Sequence, residues 1–275
     1  MFTRFSRSWS LTKQSFAVLS SNPVLMIFPC LSALATLIVI ASFLVPLFSS
    51  GAYQSMAQQR LQDPAFYLGL LAFYFCCYFV QTFFTCALMA SANVVICGGR
   101  ASLKEGLGLA AARIGNIAAW ALMAATVGVI LRTLQERLGI FGKIVIALTG
   151  GIWSILTYFI APVIIFEDLS VFDGVRRSAQ LVKKTWGEGI AGGVTFVALN
   201  WLAAATLLLT GIIFFMAQPI LGLVWVIGYI ALWAIVASTA SAIFRVALYR
   251  YAWIGAKTDL FDQNLIENAF KQRNQ

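Results

Sequence analysis

Residues 219–244 have the sequence PILGLVWVIGYIALWAIVASTASAIF, which contains no charged side chain. A helix needs about 20 predominantly apolar residues to cross the hydrocarbon core of a bilayer, and this stretch meets that length. Five earlier stretches are similar, so the full set is 24–48, 65–97, 117–131, 144–166, 189–215 and 219–244. The sequence therefore predicts an all-α membrane protein with six transmembrane helices.

The composition agrees with a membrane protein. Hydrophobic residues make up 61% of the 275 residues and charged residues 11%, whereas soluble domains average about 45–50% and 25%. On a soluble protein, the formal net charge of +9 would suggest nucleic acid as the partner. In a bacterial membrane protein, basic residues collect on the cytoplasmic side instead. We therefore predict no nucleic-acid partner.

The side-chain inventory argues against an enzyme. The sequence contains no histidine, which excludes His-based catalytic triads and His-ligated metals. Its five cysteines lie inside or at the edge of apolar stretches, where cysteine is typically a packing residue rather than a disulfide partner or metal ligand. We therefore predict no catalytic residue, no metal, no cofactor and no enzymatic activity.

The distribution of Lys and Arg predicts the orientation in the membrane. Of the 19 basic residues, only four lie in the connections on one side of the membrane, namely Arg60, Arg132, Arg137 and Lys143. The others lie in the N-terminus, in the second-to-third and fourth-to-fifth connections, and after the last span. The side that is richer in Lys and Arg is cytoplasmic. We predict that both termini are cytoplasmic and that the protein lies in the cytoplasmic (inner) membrane of a prokaryote.

A ten-residue pattern occurs twice, each time ahead of a pair of spans. Residues 7–16 (RSWSLTKQSF) and 177–186 (RSAQLVKKTW) share R-S-x-x-L-x-K-x-[ST]-[FW]. On a helix, the aromatic and aliphatic residues of each copy fall on one stripe and the basic residues lie on the opposite face. Such a helix is expected to lie in the membrane interface, with its cations at anionic headgroups.

Each copy therefore predicts a lipid-binding surface with anchors and cations. The predicted interfacial apolar anchors are Phe2, Phe5, Trp9, Phe16, Phe172 and Trp186. The predicted headgroup-binding residues are Arg4, Arg7, Lys13, Arg176, Arg177, Lys183 and Lys184. The expected partners are membrane lipids of the anionic leaflet. A larger membrane complex or a homo-oligomer is a further partner hypothesis.

The pattern organises the chain into tandem units of an interfacial helix and a transmembrane hairpin. Residues 109–116 resemble a third copy, in an alignment that pairs Ile114 with Trp186. We predict a single polytopic domain over residues 1–275. Its parts are an amphipathic interfacial helix (1–22), hairpin 1 (24–97), an interfacial segment with hairpin 2 (98–166), an interfacial helix with hairpin 3 (167–246) and a cytoplasmic tail (247–275).

A few polar side chains lie in or beside the spans. Asn93 and Asn200 are predicted intramembrane polar contacts, and Asn200, near the middle of the fifth span, is expected to hydrogen-bond across helices. Glu167 closes the fourth span just ahead of Arg176 and Arg177. Because acids at the membrane border are less costly than acids at the midplane, local ion pairing is the preferred interpretation of Glu167, and a functional role is the alternative.

Two parts of the sequence resemble known membrane families. Residues 161–167 (APVIIFE) followed by 173–182 (DGVRRSAQLV) are similar to the membrane domain attached to some bacterial glycerophosphoryl diester phosphodiesterases. The start of the chain and its end, from 247–252 (ALYRYA) to 269–270, resemble a larger group of bacterial and archaeal integral-membrane proteins catalogued only as a domain of unknown function. The second resemblance implies six helices and no activity. The first transfers no catalysis, because the soluble metal-dependent barrel is missing here.

Two functions remain as hypotheses. The first is a non-catalytic integral membrane scaffold, accessory subunit or lipid-organising protein. The second is a transporter or channel for a small or lipid-like solute, with Asn93, Asn200 or Gln81 along its path. Internal repeats favour transport, but the near absence of ionisable side chains inside the spans counts against ion or proton coupling. We therefore prefer the first hypothesis.

Overall fold

The computed structural model describes residues 2–49 and 64–254, although for parts of the helices, mainly 2–11, 135–147 and 186–194, it describes the backbone alone. The helices in chain order are α1 Phe2–Ser21, a 3-10 helix Pro23–Met26, α2 Ile27–Ser49, α3 Pro64–Ile96, α4 Leu103–Ala112, α5 Ile114–Leu156, α6 Ile160–Phe166, α7 Val171–Ala217 and α8 Pro219–Ile254. No strand occurs in these described ranges. The all-α prediction is confirmed.

Six helical segments are long and apolar enough to cross a membrane, which confirms the predicted number of spans. They are Pro23–Pro46, Phe66–Ile96, Ile114–Leu134, Leu148–Phe166, Thr195–Met216 and Pro219–Arg250. The last helix continues to Ile254, so residues 247–254 of the predicted tail belong to a helix. The remainder of that tail, 255–275, lies outside the described residues.

The third span and the start of the fourth lie within α5, and the chain turns back between them. The rings of Trp120 and Trp153, both in α5, stack with their centroids 5.8 Å apart. A straight helix rises 1.5 Å per residue and would place these two residues about 50 Å apart. Because a continuous helix cannot reverse direction, α5 contains a break between Trp120 and Trp153.

Two helix breaks have nearly the same backbone conformation. Arg113, which precedes α5, has φ −108° and ψ 18°, and Thr185, inside α7, has φ −110° and ψ 16°. The alignment that pairs Ile114 with Trp186 also pairs Arg113 with Thr185. Phe159, which precedes α6 and lies outside the motif, has nearly the same conformation, with φ −99° and ψ 15°, so the third copy stays a prediction.

The end of α3 is capped by two glycines. Gly98 has φ +86°, and its N–H donates to the Val95 carbonyl while the Gly99 N–H donates to the Val94 carbonyl. This is the Schellman arrangement, which favours glycine at the left-handed position. A Cβ on Gly99 would lie 2.7 Å from Val94 Cγ1. The two glycines are thus turn and packing residues.

The chain forms two compact units. The first consists of Met1–Pro29, Ser91–Leu103 and Leu181–Gln275, and the second of Cys30–Ala90 and Lys104–Gln180. In the first unit, α1 packs against α8 and against the 3-10 helix. Its fully buried large side chains include Leu25, Phe28, Phe244 and Tyr249.

The second unit brings α3 and parts of α5 and α6 close together through small side chains. Its buried alanines are Ala87, Ala90, Ala110, Ala121, Ala124, Ala125 and Ala161. The Cys86 thiol donates to the Ala161 carbonyl across helices at 3.7 Å. Small residues permit the close backbone approach on which helix association in lipid depends, since no hydrophobic force drives it there.

Candidate functional site

The second half of the first copy of the motif has one buried face and one exposed lysine. In α1, Thr12, Ser15, Val18 and Leu19 are buried, and Lys13 is exposed. The spacing of the buried residues places them on one side of a helix, and α1 packs against α8. The predicted anchor Phe16 is half-buried. The side chains of five predicted residues lie outside the described ones, although their backbone is helical: Phe2, Arg4, Phe5, Arg7 and Trp9.

The second copy, at the start of α7, buries a stripe of small and aliphatic residues: Gly174, Ser178, Leu181 and Thr185. A Cβ on Gly174 would lie 3.4 Å from Ile160 Cδ1, so this glycine marks a close approach of α7 to α6. Ser178 Oγ accepts a hydrogen bond from the N–H of Phe159, just before α6, at 3.0 Å. Sequence analysis missed this protein-facing stripe, whose signal is the spacing of small residues by four, three and four.

The face of α7 opposite that stripe combines one aromatic residue with cations. Phe172 is 78% exposed, and Arg176 and Lys183 are exposed on the same side of the helix, as Lys184 is on an adjoining one. Phe172 thus lies on the same side of the helix as Arg176 and Lys183, which corrects the prediction that the apolar and basic residues of this copy occupy opposite faces. Trp186, the other predicted anchor of this copy, has no described side chain.

Exposure agrees at three aligned positions of the two copies and differs at a fourth, where Gln14 is half-buried and its counterpart Lys184 is exposed. Thr12 and its counterpart Val182 are buried, as are Ser15 and its counterpart Thr185. Lys13 and its counterpart Lys183 are both exposed. The repeated pattern therefore has the same inward and outward sides in both places, with a lysine outward in each.

The acidic residues at the end of the fourth span form local ion pairs. Glu167 accepts two hydrogen bonds from Arg177 Nε, at 2.9 and 3.2 Å, and the two side chains are only 11% and 24% exposed. Asp168 pairs with Arg113 and accepts from Asn116 Nδ2 at 3.5 Å. The preferred interpretation of Glu167 is therefore supported, and Arg177, predicted to bind a headgroup, instead binds a carboxylate of the protein.

Asn200 hydrogen-bonds across helices, as its position predicted. Its Oδ1 accepts from Trp233 Nε1 at 2.8 Å, which joins α7 to α8. Two further bonds continue in the same antiparallel register along the hairpin: Thr206 Oγ1 to Tyr229 Oη at 2.5 Å and Trp225 Nε1 to Thr210 Oγ1 at 3.0 Å. The sequence did not indicate these aromatic partners, Trp233, Tyr229 and Trp225.

Asn93, in the last turns of α3, contacts a cation. Its Oδ1 accepts a hydrogen bond from Arg250 Nη1 at 2.8 Å, and the contact is partly buried. Nearby, Ser91 Oγ donates to the Ser102 carbonyl at 3.0 Å and accepts from the Ser102 N–H at 3.1 Å. These bonds hold the connection after α3 against the helix end. Gln81, by contrast, is exposed on α3.

The hairpin of α7 and α8 also contains an open apolar cavity of about 460 Å³ close to the turn at Gln218. It is lined by Leu207, Leu208, Gly211, Ile212, Phe215, Met216 and Val226. Its walls therefore offer van der Waals contact and no charged or hydrogen-bonding side chain.

A known protein family matches most of the chain. The family described as a family of unknown function (DUF6159) matches residues 64–259. No curated protein and no solved structure matches the chain. The match supports the resemblance to an uncharacterised membrane family, while the similarity to the membrane domain of the phosphodiesterases stays a prediction.

Proposed function

The chain belongs to the family of unknown function DUF6159, and we propose that it is a non-catalytic integral membrane protein that binds and organises anionic lipids. In this proposal the interfacial helices hold the headgroups of the cytoplasmic leaflet. The six spans fix those helices at the membrane surface. A scaffold or an accessory subunit of a larger complex would use the same surface.

One observation carries the proposal, namely that the repeated motif presents its lysine outward in both copies. Lys13 and Lys183 are exposed, and Thr12 and Val182, the residues directly before them, are buried. A basic residue near an anionic leaflet contributes about 1 kcal/mol of attraction. Placing equivalent lysines on separate helices spreads that attraction over several headgroups.

The exposed cations also support the proposed orientation. Arg100, Lys104 and Arg176 are exposed and occur in connections that the distribution of basic residues assigns to the cytoplasm. Interfacial helices with cations and an aromatic anchor suit a leaflet with negative surface potential. We therefore place both termini and all three interfacial helices on the cytoplasmic side of the inner membrane.

Transport is the alternative, and its support is the tandem repeat. The contacts of the polar span residues favour lipid binding instead. Asn200 is hydrogen-bonded to Trp233 within a hairpin that has exposed apolar side chains on its outer faces. Gln81 is exposed on α3. A water-filled path at mid-membrane that contains Asn200 would reverse this preference.

The proposal is tested with the full-length protein reconstituted in bilayers of phosphatidylcholine that contain phosphatidylglycerol. Spin-labelled lipids measure which headgroup is enriched at the protein surface. Changing Lys13→Gln together with Lys183→Gln removes two cations, and we expect the preference for phosphatidylglycerol to fall about fivefold per lysine at low salt.

The matched control is the pair Lys13→Arg with Lys183→Arg, which retains the charge and is expected to retain the preference. Added salt is expected to reduce the difference between the two double variants, because it screens exposed charges. If the glutamine variant selects phosphatidylglycerol as strongly as the natural protein at low salt, the proposal is wrong.

A further inference from the structure

Arg250, at the end of the last span, is a cation without a carboxylate partner in the described part of the chain. Its Nη1 donates to Asn93 Oδ1 at 2.8 Å, and its Nε is buried without a hydrogen-bond partner among the described residues. A buried charge is costly unless an opposite charge and hydrogen bonds accompany it. A neutral amide supplies one bond and no charge, so the arrangement requires an anion.

The described part of the first compact unit contains little acid, and the other acids of the unit, Asp259, Asp262 and Glu267, lie outside the described residues. Its described segments, 2–29, 91–103 and 181–254, contain one acidic residue, Glu188. The hydrogen bonds between α7 and α8 set the register of that hairpin, with Asn200 opposite Trp233. Continuing this antiparallel register along both helices brings the backbone at 188 level with residue 245. Arg250 therefore lies further towards the C-terminal end of α8 than the residue that is level with Glu188.

The groups around Arg250 are hydrogen-bond donors. A guanidinium has only N–H groups, so the Asn93 atom that faces it must be the carbonyl oxygen, and this fixes the orientation of the amide. The Asn93 amide nitrogen then points elsewhere with two N–H groups, for which the described residues provide no acceptor. The pair thus offers several donors and no free acceptor of comparable strength.

A ligand that only accepts hydrogen bonds and carries negative charge suits such a pair. Phosphate fits, because the two terminal nitrogens of a guanidinium can bind it with two parallel N–H···O bonds, whereas Arg250 Nε is buried within the protein and is not available to a ligand. The position suits a headgroup as well, because Asn93 lies in the last turns of α3, which ends at Ile96, and Arg250 closes the last span. Both residues are thus at helix ends, where spanning helices meet the lipid phosphates.

We propose that Arg250 and Asn93 form a binding site for a phosphate-bearing anion, supplied by the headgroup of an anionic phospholipid. The site differs from the exposed lysines, which attract a headgroup through water and are screened by salt. It holds one phosphate by direct charge-assisted bonds in a partly buried place. This site rests on the proposed function in one respect, namely that the lipid comes from the cytoplasmic leaflet.

The decisive variant is Asn93→Asp, which is nearly isosteric and gives Arg250 the carboxylate that it lacks. The full-length protein is purified in mild detergent and washed at high salt, and native mass spectrometry then measures its affinity for added phosphatidylglycerol. We expect the affinity to fall about tenfold or more in Asn93→Asp, while the melting temperature without lipid stays the same or rises. A second variant, Arg250→Gln, is expected to lose the same binding.

The double variant Lys13→Gln with Lys183→Gln is the matched control, and it is expected to retain the bound lipid at high salt. If the control loses phosphatidylglycerol binding while Asn93→Asp retains it, the Arg250 site is overturned and the proposed function stands. The opposite result supports the Arg250 site independently of the exposed lysines. Equal binding by the natural protein and Asn93→Asp also overturns it.

Inorganic phosphate distinguishes the source of the ligand. If it raises the melting temperature of the natural protein and displaces no lipid, while phosphatidylglycerol does not bind, the phosphate site stands with a soluble ligand and the lipid assignment is wrong. If phosphatidylglycerol binds in an Arg250-dependent way and phosphatidylcholine does not, the headgroup is the source.

Discussion

The two copies of the ten-residue motif have the same inward face but different attachments. In both, the residue before the exposed lysine is buried, as Thr12 or Val182. The first copy lies in α1, which packs along α8. The second is bonded to the chain just ahead of it, through Ser178 to the Phe159 N–H. The comparison teaches that the motif determines which side of the helix turns inward, while neighbouring segments determine how the helix is held.

The two copies also end differently. The second breaks at Thr185, within the motif, and continues into the fifth span. The first stays helical to Ser21 and breaks at Asn22, which precedes Pro23. Proline disfavours a helical conformation in the residue before it, so the break moves to that point. The position of the helix break is therefore a property of the residues after the motif.

The largest effect is expected from removing the attachment that only the second copy has. Ser178→Val deletes the acceptor of the buried Phe159 N–H and adds volume where no side-chain surface is exposed. We expect the free energy of unfolding to fall by about 2–4 kcal/mol. Thermal unfolding followed by circular dichroism in detergent measures it. The neighbouring exposed residue provides the control, since Gln180→Val is expected to change stability by less than about 0.5 kcal/mol.

A smaller effect is expected from the ion pair of the second copy. Arg177→Gln removes the ion pair between Arg177 and Glu167, whose side chain is only 11% exposed. Because Arg177 is itself partly exposed, we expect a loss of about 1–2 kcal/mol rather than the larger cost of a fully buried pair. Adjacent Arg176 is exposed, so Arg176→Gln is expected to be nearly neutral. Equal losses in the two variants would contradict the pairing.

A double variant separates the pair from other effects of the substitution. Adding Glu167→Gln to Arg177→Gln also removes the carboxylate charge at this half-buried position, and we expect it to recover part of the lost stability. The first copy gives a further comparison, because no acidic residue occurs before Asp63 in the sequence. Arg7→Gln is therefore expected to cost less than Arg177→Gln.

Much of the fold was predictable because it depends on local sequence. Apolar length predicted six spans, and the bases next to Glu167 predicted its ion pair. Other features depend on contacts that sequence spacing does not contain. The hydrogen bond between Asn93 and Arg250 joins α3 to α8, and no pattern in either segment predicts that the two are in contact. The reversal within α5 is likewise revealed by a long-range contact, between Trp120 and Trp153.

The candidate surface was predicted in its cations and less well in its packing. The sequence indicated Lys13 and Lys183 as outward residues, and both are exposed. It treated α7 as a helix with two faces, apolar and basic, whereas its start has a third, formed by Gly174, Ser178 and Thr185 and turned inward. Small residues score poorly as hydrophobic, yet they are what helices in membranes use for close contact.

The smallest effect is expected from making the first copy more like the second. Thr12 Oγ1 is buried without a hydrogen-bond partner in the described part of the chain, and the aligned residue, Val182, is apolar and buried. Thr12→Val keeps the shape and removes an unsatisfied hydroxyl, so we expect stability to rise by up to about 1 kcal/mol. The reverse change, Val182→Thr, is expected to lower it by a similar amount. Thermal unfolding of both variants measures the difference, and a loss of stability in Thr12→Val would mean that this hydroxyl has a partner and that the two inward faces are not equivalent.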